Sequence, residues 1–242
     1  MLTHKNIISG QVSAEFLGFG FTENDVYLSY APLTHVYEQI CHLDAIMHGF
    51  RVGYSSGNIV NLIDDIQNLK PTFFGSFPMF YNKVYEKINQ SINSQYAPIA
   101  ALIKHAIQCK IWYFHNFGIV NHWFYDPLVF WFMRKILGGR IRIFCSGGAP
   151  LSSDVKYLLT VVFGAPIFEA YGMTEAAGCI STTAYWERQG GHVGGILPCL
   201  RMHLRDVTDL NCVSTSEQPS GELYIKGNSV MRGYFKDPDL TN

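Results

Sequence analysis

Between residues 6 and 170 the hydrophobic positions recur at two spacings in turn. Ile7, Ile8, Val12, Phe16 and Leu17 fall near one face of a helix over 6–20. Residues 26–30 (VYLSY) are rich in strand formers, and 36–49 predict a helix that is mostly buried. Residues 51–54 predict a second strand, which stops at Ser-Ser-Gly. Leu62, Ile63, Ile66 and Leu69 mark a short amphipathic helix ended by Lys70-Pro71. A strand at 72–74 and a helix at 79–93 follow. Helices alternating with short strands predict an α/β fold with a parallel sheet. Asp64 and Asp65 are adjacent on their helix and so do not converge on one metal; capping and solvation account for them better.

The stretch around which the rest is arranged runs from 140 to 178. Ile141, Ile143 and Phe144 form a short apolar run that stops at Ser146-Gly147-Gly148, as a buried strand does at a turn. The two glycines permit backbone geometries and close approaches that a side chain blocks. Ser152 is placed to cap a helix in which Val155, Leu158, Leu159 and Val162 share a face, and Gly164 is placed to end it. Pro166-Ile167-Phe168 predicts the next strand, which runs into Glu169-Ala170-Tyr171-Gly172-Met173-Thr174-Glu175. Two strands joined by a helix form a crossover unit, and ligands bind at the carboxyl ends of such strands.

Beyond residue 184 the period changes to two. Met202 and Leu204 alternate with Arg201, His203 and Arg205, and Leu223 and Ile225 alternate with Glu222 and Lys226. Glycine turns separate these runs, which predicts crossover units over 1–187 followed by a small β-rich subdomain over 188–242. Residues 111–133 are dense in aromatics, including Trp112, Trp123 and Trp131. Burial on the sheet is the first expectation for them, and a membrane or lipid surface the second.

Composition narrows the class. The chain has 242 residues, 48% hydrophobic and 15% charged, with a formal net charge of −1. It is globular, and its charge gives no argument for nucleic acid as a partner. The six cysteines are scattered without a CxxC pair or zinc spacing, which fits reduced thiols inside a cell. The first ten residues carry no signal-peptide pattern, and no uninterrupted apolar stretch is long enough to span a bilayer.

SGGAP followed by EAYGMTE resembles the nucleotide-binding core of the adenylate-forming superfamily. More closely, the chain resembles the long-chain fatty acyl-CoA synthetases. MLTHKNI, DVYLSYAPLTHVYEQ, the segment around KPTFFGSFPMFYNKVYEKI, GGHVGGILPCLRMHLRDV and SGELYIKGNSVMRGYFKDPDLT extend the likeness over nearly the whole chain, in the family's order.

The resemblance implies a two-step reaction. A fatty acid carboxylate attacks the α-phosphorus of ATP to give acyl-AMP and pyrophosphate, and the thiol of coenzyme A then displaces AMP. It implies Thr174 and Glu175 as catalytic residues, Thr174 toward phosphate and Glu175 as the Mg2+ carboxylate. Gly147, Gly148, Ala149 and Pro150 form one wall of an adenine pocket. Tyr171 supplies a stacking face, Gly172 a close backbone approach, and Glu169 and Ala170 backbone near the base. His35, in PLTHVYE, lines the acyl side; for Glu38 the helix dipole is a comparable explanation. The implied partners are long-chain fatty acid, ATP, Mg2+ and coenzyme A, with peripheral contact to the cytosolic face of an endomembrane. The alternatives are an inactive nucleotide- or acyl-binding module, or an enzyme adenylating another acid. The family's phosphate loop, ribose-binding segment and C-terminal domain have no match in the sequence. The expectation is a fragment that binds ATP–Mg2+ weakly and does not turn over.

Overall fold

The computed structural model describes residues 1–185 and 187–241. Helix α1 (His4–Glu15) leads into β1 (Val26–Ser29), α2 (Val36–His48), β2 (Arg51–Tyr54), α3 (Leu62–Leu69) and β3 (Phe73–Ser76). Three helices follow before the next strand: α4 (Pro78–Asn93), α5 (Ala97–Phe117) and, after a π-helical turn at Asp126–Phe130, the short α6 (Trp131–Arg134). Then come β4 (Ile143–Gly147), α7 (Ser153–Phe163), β5 (Ile167–Met173), β6 (Gly178–Thr182) and β7 (Gly195–Ile196). These seven strands form one sheet in the order β2-β1-β3-β4-β5-β6-β7. The first five are parallel, and β6 and β7 add antiparallel at the β5 edge. Strands β8 (Leu200–Arg205) and β9 (Glu222–Gly227) make a separate antiparallel ribbon, and α8 (Pro238–Thr241) follows.

The inner parallel strands β1, β3 and β4 are buried on both faces, so their sequences read as largely continuous apolar runs rather than alternations, whereas the edge strand β2 is largely exposed. Adjacent residues go to opposite cores. Leu28, Phe74, Phe144 and Ile167 pack with α3, α4, α5 and α7 in the larger core. Tyr27, Phe73, Ile143 and Phe168 pack with Cys41 and Ala45 of α2 and with Phe19 and Phe21 in the smaller one. Asp25 ties the strand beginnings together: it accepts from Arg142 at 2.8 and 2.6 Å, from the Thr22 N–H at 2.9 Å, and from the Thr72 hydroxyl.

Four features differ from the sequence expectation. Helix α1 stops at Glu15, and its apolar stripe of Ile8, Val12 and Phe16 is exposed while Asn6, Gln11 and Ser13 are buried. Ser152 occupies the N-cap of α7 but makes no capping side-chain bond. Strand β5 continues through Tyr171 to Met173 because β6 pairs with it as a hairpin. In the aromatic segment Phe114 and Phe130 are buried, whereas Trp112, Trp123 and Phe132 are exposed. Asp65 accepts from the N–H and hydroxyl of Ser56, a bond to the preceding turn rather than a cap on its own helix. Among the described residues no helix is long and apolar enough to cross a membrane.

Candidate functional site

A cavity of about 300 Å3 lies on the α2 side of the sheet. Period-two alternation decides which side chains reach it: Phe73, Cys145, Gly147, Ala170 and Gly172 face α2 from successive strands. Helix α2 returns antiparallel to the strands it connects, so its start lies at their carboxyl ends. His35, Phe77, Gly148, Tyr171 and Thr174 line the cavity at that mouth, while Asp44, late in α2, lines it with Ala14, Leu17, Phe19 and Phe21 at the other end. Both sequence motifs thus meet at one opening, with His35 across from them.

Gly148 has φ +83°, and a Cβ there would sit 3.0 Å from the Phe77 ring. Ala149 and Pro150 are exposed beyond it. A Cβ on Gly172 would lie 1.9 Å from the Gly178 carbonyl oxygen, so glycine is required there for the β5–β6 hairpin to close. The Tyr171 ring is 41% exposed and has no ring neighbour among the described residues, which leaves a face free to stack. The Thr174 hydroxyl makes no hydrogen bond among the described residues, and it opens the turn that carries Glu175.

Glu175 is half-buried, and its Oε1 accepts from the Tyr234 hydroxyl at 2.8 Å. Its backbone carbonyl accepts from the Met231 N–H at 2.7 Å, so the segment 231–234 fixes the turn. Its other carboxylate oxygen accepts nothing among the described residues. A single carboxylate with one free oxygen is the kind of donor Mg2+ takes, since that ion uses one or two protein oxygens and completes its shell with other oxygens. No cluster of three or more ligating side chains exists among the described residues.

Glu175, Ala149 and Pro150 do not line the cavity, and Glu169 and Glu38 point away from it. Glu169 falls out of phase with Phe168 and Ala170, and its side chain points to the opposite face, where Lys156 donates to it at 2.9 Å. Its N–H donates to the Thr183 hydroxyl and its carbonyl accepts from the Thr183 N–H, both at 3.0 Å. Glu38 is fully buried and accepts from the Tyr27 hydroxyl at 2.9 Å, away from the cavity. His35 caps α2: its Nδ1 accepts from the Tyr37 N–H at 3.2 Å, which in the neutral ring leaves the proton on Nε2. The sequence reading passed over Phe19, Phe21 and Asp44. The signal for Asp44 was present, an acid late in a helix expected to be mostly buried.

Comparison with known proteins places the family and the fold. The family model described as AMP-binding enzyme matches residues 1–235. The chain is 36% identical over 242 residues to the peroxisomal long chain acyl-CoA synthetase 7 of Arabidopsis thaliana, and 37% identical over 245 residues to long-chain-fatty-acid–CoA ligase 5 of Mus musculus. All of this chain is covered in both matches, against 34% and 35% of those proteins, so it spans about a third of their length. Among solved structures, a benzoate CoA ligase from Burkholderia xenovorans superposes with a TM-score of 0.66 at 21% identity, over 99% of this chain and 40% of that one. The adenylation domain of a carboxylate reductase from Mycobacterium chelonae gives 0.68 at 23% identity, over 90% of this chain and 30% of that one. These likenesses carry the fold.

Proposed function

The chain belongs to the AMP-binding enzyme family, and from that premise we propose that it is the part of a long-chain fatty acid–CoA ligase that holds the adenine and the acyl chain. One observation carries the reading: Gly148, Tyr171, Thr174 and His35 share the mouth of a cavity whose interior is mostly apolar. A nucleotide bound at the mouth and an acyl chain lying along α2 bring carboxylate and phosphate together at Thr174.

In this reading the fatty acid carboxylate attacks the α-phosphorus of ATP, pyrophosphate leaves, and the coenzyme A thiol then displaces AMP to form the thioester. Tyr171 stacks on the adenine, the Gly147-Gly148-Ala149-Pro150 turn forms the opposite wall, and the Thr174 hydroxyl donates to a phosphate oxygen. Glu175 would hold Mg2+, which when bound would neutralise phosphate charge that repels the incoming carboxylate. Tyr234 orients Glu175 by its hydrogen bond, and His35 lines the acyl entrance. Residues 188–242 are for the most part a second, β-rich unit, although β7 joins the main sheet. The protein acts inside the cell, with access to membrane-borne fatty acid.

Equilibrium binding of ATP with a Mg2+ titration tests the site in residues 1–242. Tyr171→Ala should weaken ATP about tenfold or more, as lost base stacking does. Glu175→Ala should remove the Mg2+ dependence. ATP affinity and Mg2+ response unchanged in both variants would overturn the assignment. In the protein that carries this sequence at full length, palmitate-dependent pyrophosphate release should fall ~10²-fold or more in Glu175→Ala, comparable with losing a transition-state donor.

A further inference from the structure

The inner end of the cavity is not apolar throughout. Asp44 lines it among Ala14, Leu17, Phe19 and Phe21. Its Oδ1 accepts from Gln11 Nε2 at 2.7 Å, and the same nitrogen donates to the Ile40 carbonyl at 3.1 Å, so Gln11 is held in one orientation. Gln11 is itself buried, which makes the amide–carboxyl pair part of the packed wall. Oδ2 accepts no hydrogen bond among the described residues. Behind the pair, His48 Nε2 lies 2.8 Å from Glu15 Oε1, and His48 Nδ1 lies 2.9 Å from the Asp44 carbonyl oxygen. That second contact engages backbone, not the free carboxyl oxygen.

We propose that this end of the cavity receives an acyl chain with a hydroxyl on its terminal carbon, and that the hydroxyl donates to Asp44. The inference rests on the acyl reading of the cavity and names its substrate class, ω-hydroxy fatty acids. The nine helical steps from His35 to Asp44 span about 13 Å, so a chain whose carboxylate lies at the mouth meets Asp44 with its distal end. A methyl terminus brought there removes water from a carboxyl oxygen and gives it no partner, which is unfavourable. A hydroxyl supplies the donor. A site that bonds a substrate hydroxyl discriminates against the analogue that lacks it much more strongly than an apolar pocket discriminates by a methylene.

The test is competition against a fluorescent fatty acid bound to residues 1–242, with length-matched pairs: ω-hydroxydodecanoate against dodecanoate, and ω-hydroxypalmitate against palmitate. Measured at pH 8, above the Asp44 titration, the hydroxy acid of at least one pair should displace the probe about tenfold better, as for a hydrogen bond to a charged group. Asp44→Leu should erase or reverse the preference, while Asp44→Asn, which keeps an acceptor oxygen, should retain part of it. Equal or better binding of the plain acid in both pairs overturns this inference and leaves the acyl reading standing. Failure of every acid, plain and hydroxylated, to displace the probe overturns the acyl reading itself. If Asp44→Leu does not fold, the wild-type comparison still decides.

Discussion

Asp25 and Asp44 are both removed from water, and their surroundings drive them apart. Burial raises the Asp44 carboxyl and Glu15 adds to the rise; the charge of His48 and the Gln11 hydrogen bond offset only part of it, leaving it at about 7. Burial also raises Asp25, but hydrogen bonds from Arg142, Thr72 and the Thr22 backbone, together with the Arg142 charge, outweigh it and hold it at about 2. The signs for stability are opposite. Asp25 contributes stability that is present above its ordinary value of 3.8 and is lost as pH falls through about 2. Asp44 contributes stability that is complete below 3.8 and is lost as pH rises through about 7. The unfolding free energy from urea titration should therefore decline between roughly pH 4 and 7, by up to ~4 kcal/mol at about 1.4 kcal/mol per pKa unit. Asp44→Asn should flatten that decline, and Asp25→Asn should flatten the acid limb below pH 4. An Asp44→Asn profile parallel to wild type would show that the carboxyl is not titrating there.

Strand β5 and helix α7 are joined by a buried ion pair rather than by apolar contact alone. Lys156 is 2% exposed and donates to Glu169 Oε1 and to the Gln189 carbonyl, both at 2.9 Å. On the next residue, the Tyr157 hydroxyl accepts from the Gly190 N–H at 2.9 Å, so one helix holds both the back of β5 and the loop that follows β6. Lys156→Met leaves a buried carboxylate without its cation and should cost about 3–5 kcal/mol in chemical denaturation. Replacing both partners, Lys156→Met with Glu169→Leu, should recover most of that loss, because the isolated charge is what is expensive. A single variant within about 1 kcal/mol of wild type would mean the pair is dispensable. Strands β1 and β3 and helices α3 and α4 were readable from periodicity, because each buries its apolar positions. The β5–β6 hairpin was not: residues 178–182 carry no alternation, and the pairing depends on Gly172 meeting Gly178 across the turn. Glu169 was read with its motif neighbours, although the period of a strand sends its side chain to the other face.

The two ends of the chain close on each other, and this clasp reaches the candidate site. Asn6 is buried in α1, and its side-chain amide donates to the carbonyls of Asn228 at 2.8 Å and Val230 at 2.7 Å. Thr3 completes a reciprocal cap with Asn6, and the Arg232 N–H donates to the Met1 carbonyl at 3.1 Å. From that anchored segment Met231 and Tyr234 reach Glu175. The apolar stripe of α1 was readable in the sequence, but its use was not. The helix docks through amides because the surface it meets is a row of backbone carbonyls, and those need donors more than they need apolar cover. Asn6→Leu is close in size but removes both donors, leaving two carbonyls unpaired, and should cost on the order of 1–3 kcal/mol. The loss should be local first. In hydrogen exchange, amides of 228–234 should lose protection while those of β1, β3 and β4 keep theirs, since the core strands contact neither carbonyl. Because Tyr234 would then be released from Glu175, the Mg2+ dependence of ATP binding should weaken in Asn6→Leu although the substitution touches no ligand. Uniform deprotection of the sheet would instead show that α1 supports the whole fold, and unchanged protection at 228–234 would show that the amide contacts do not hold the segment.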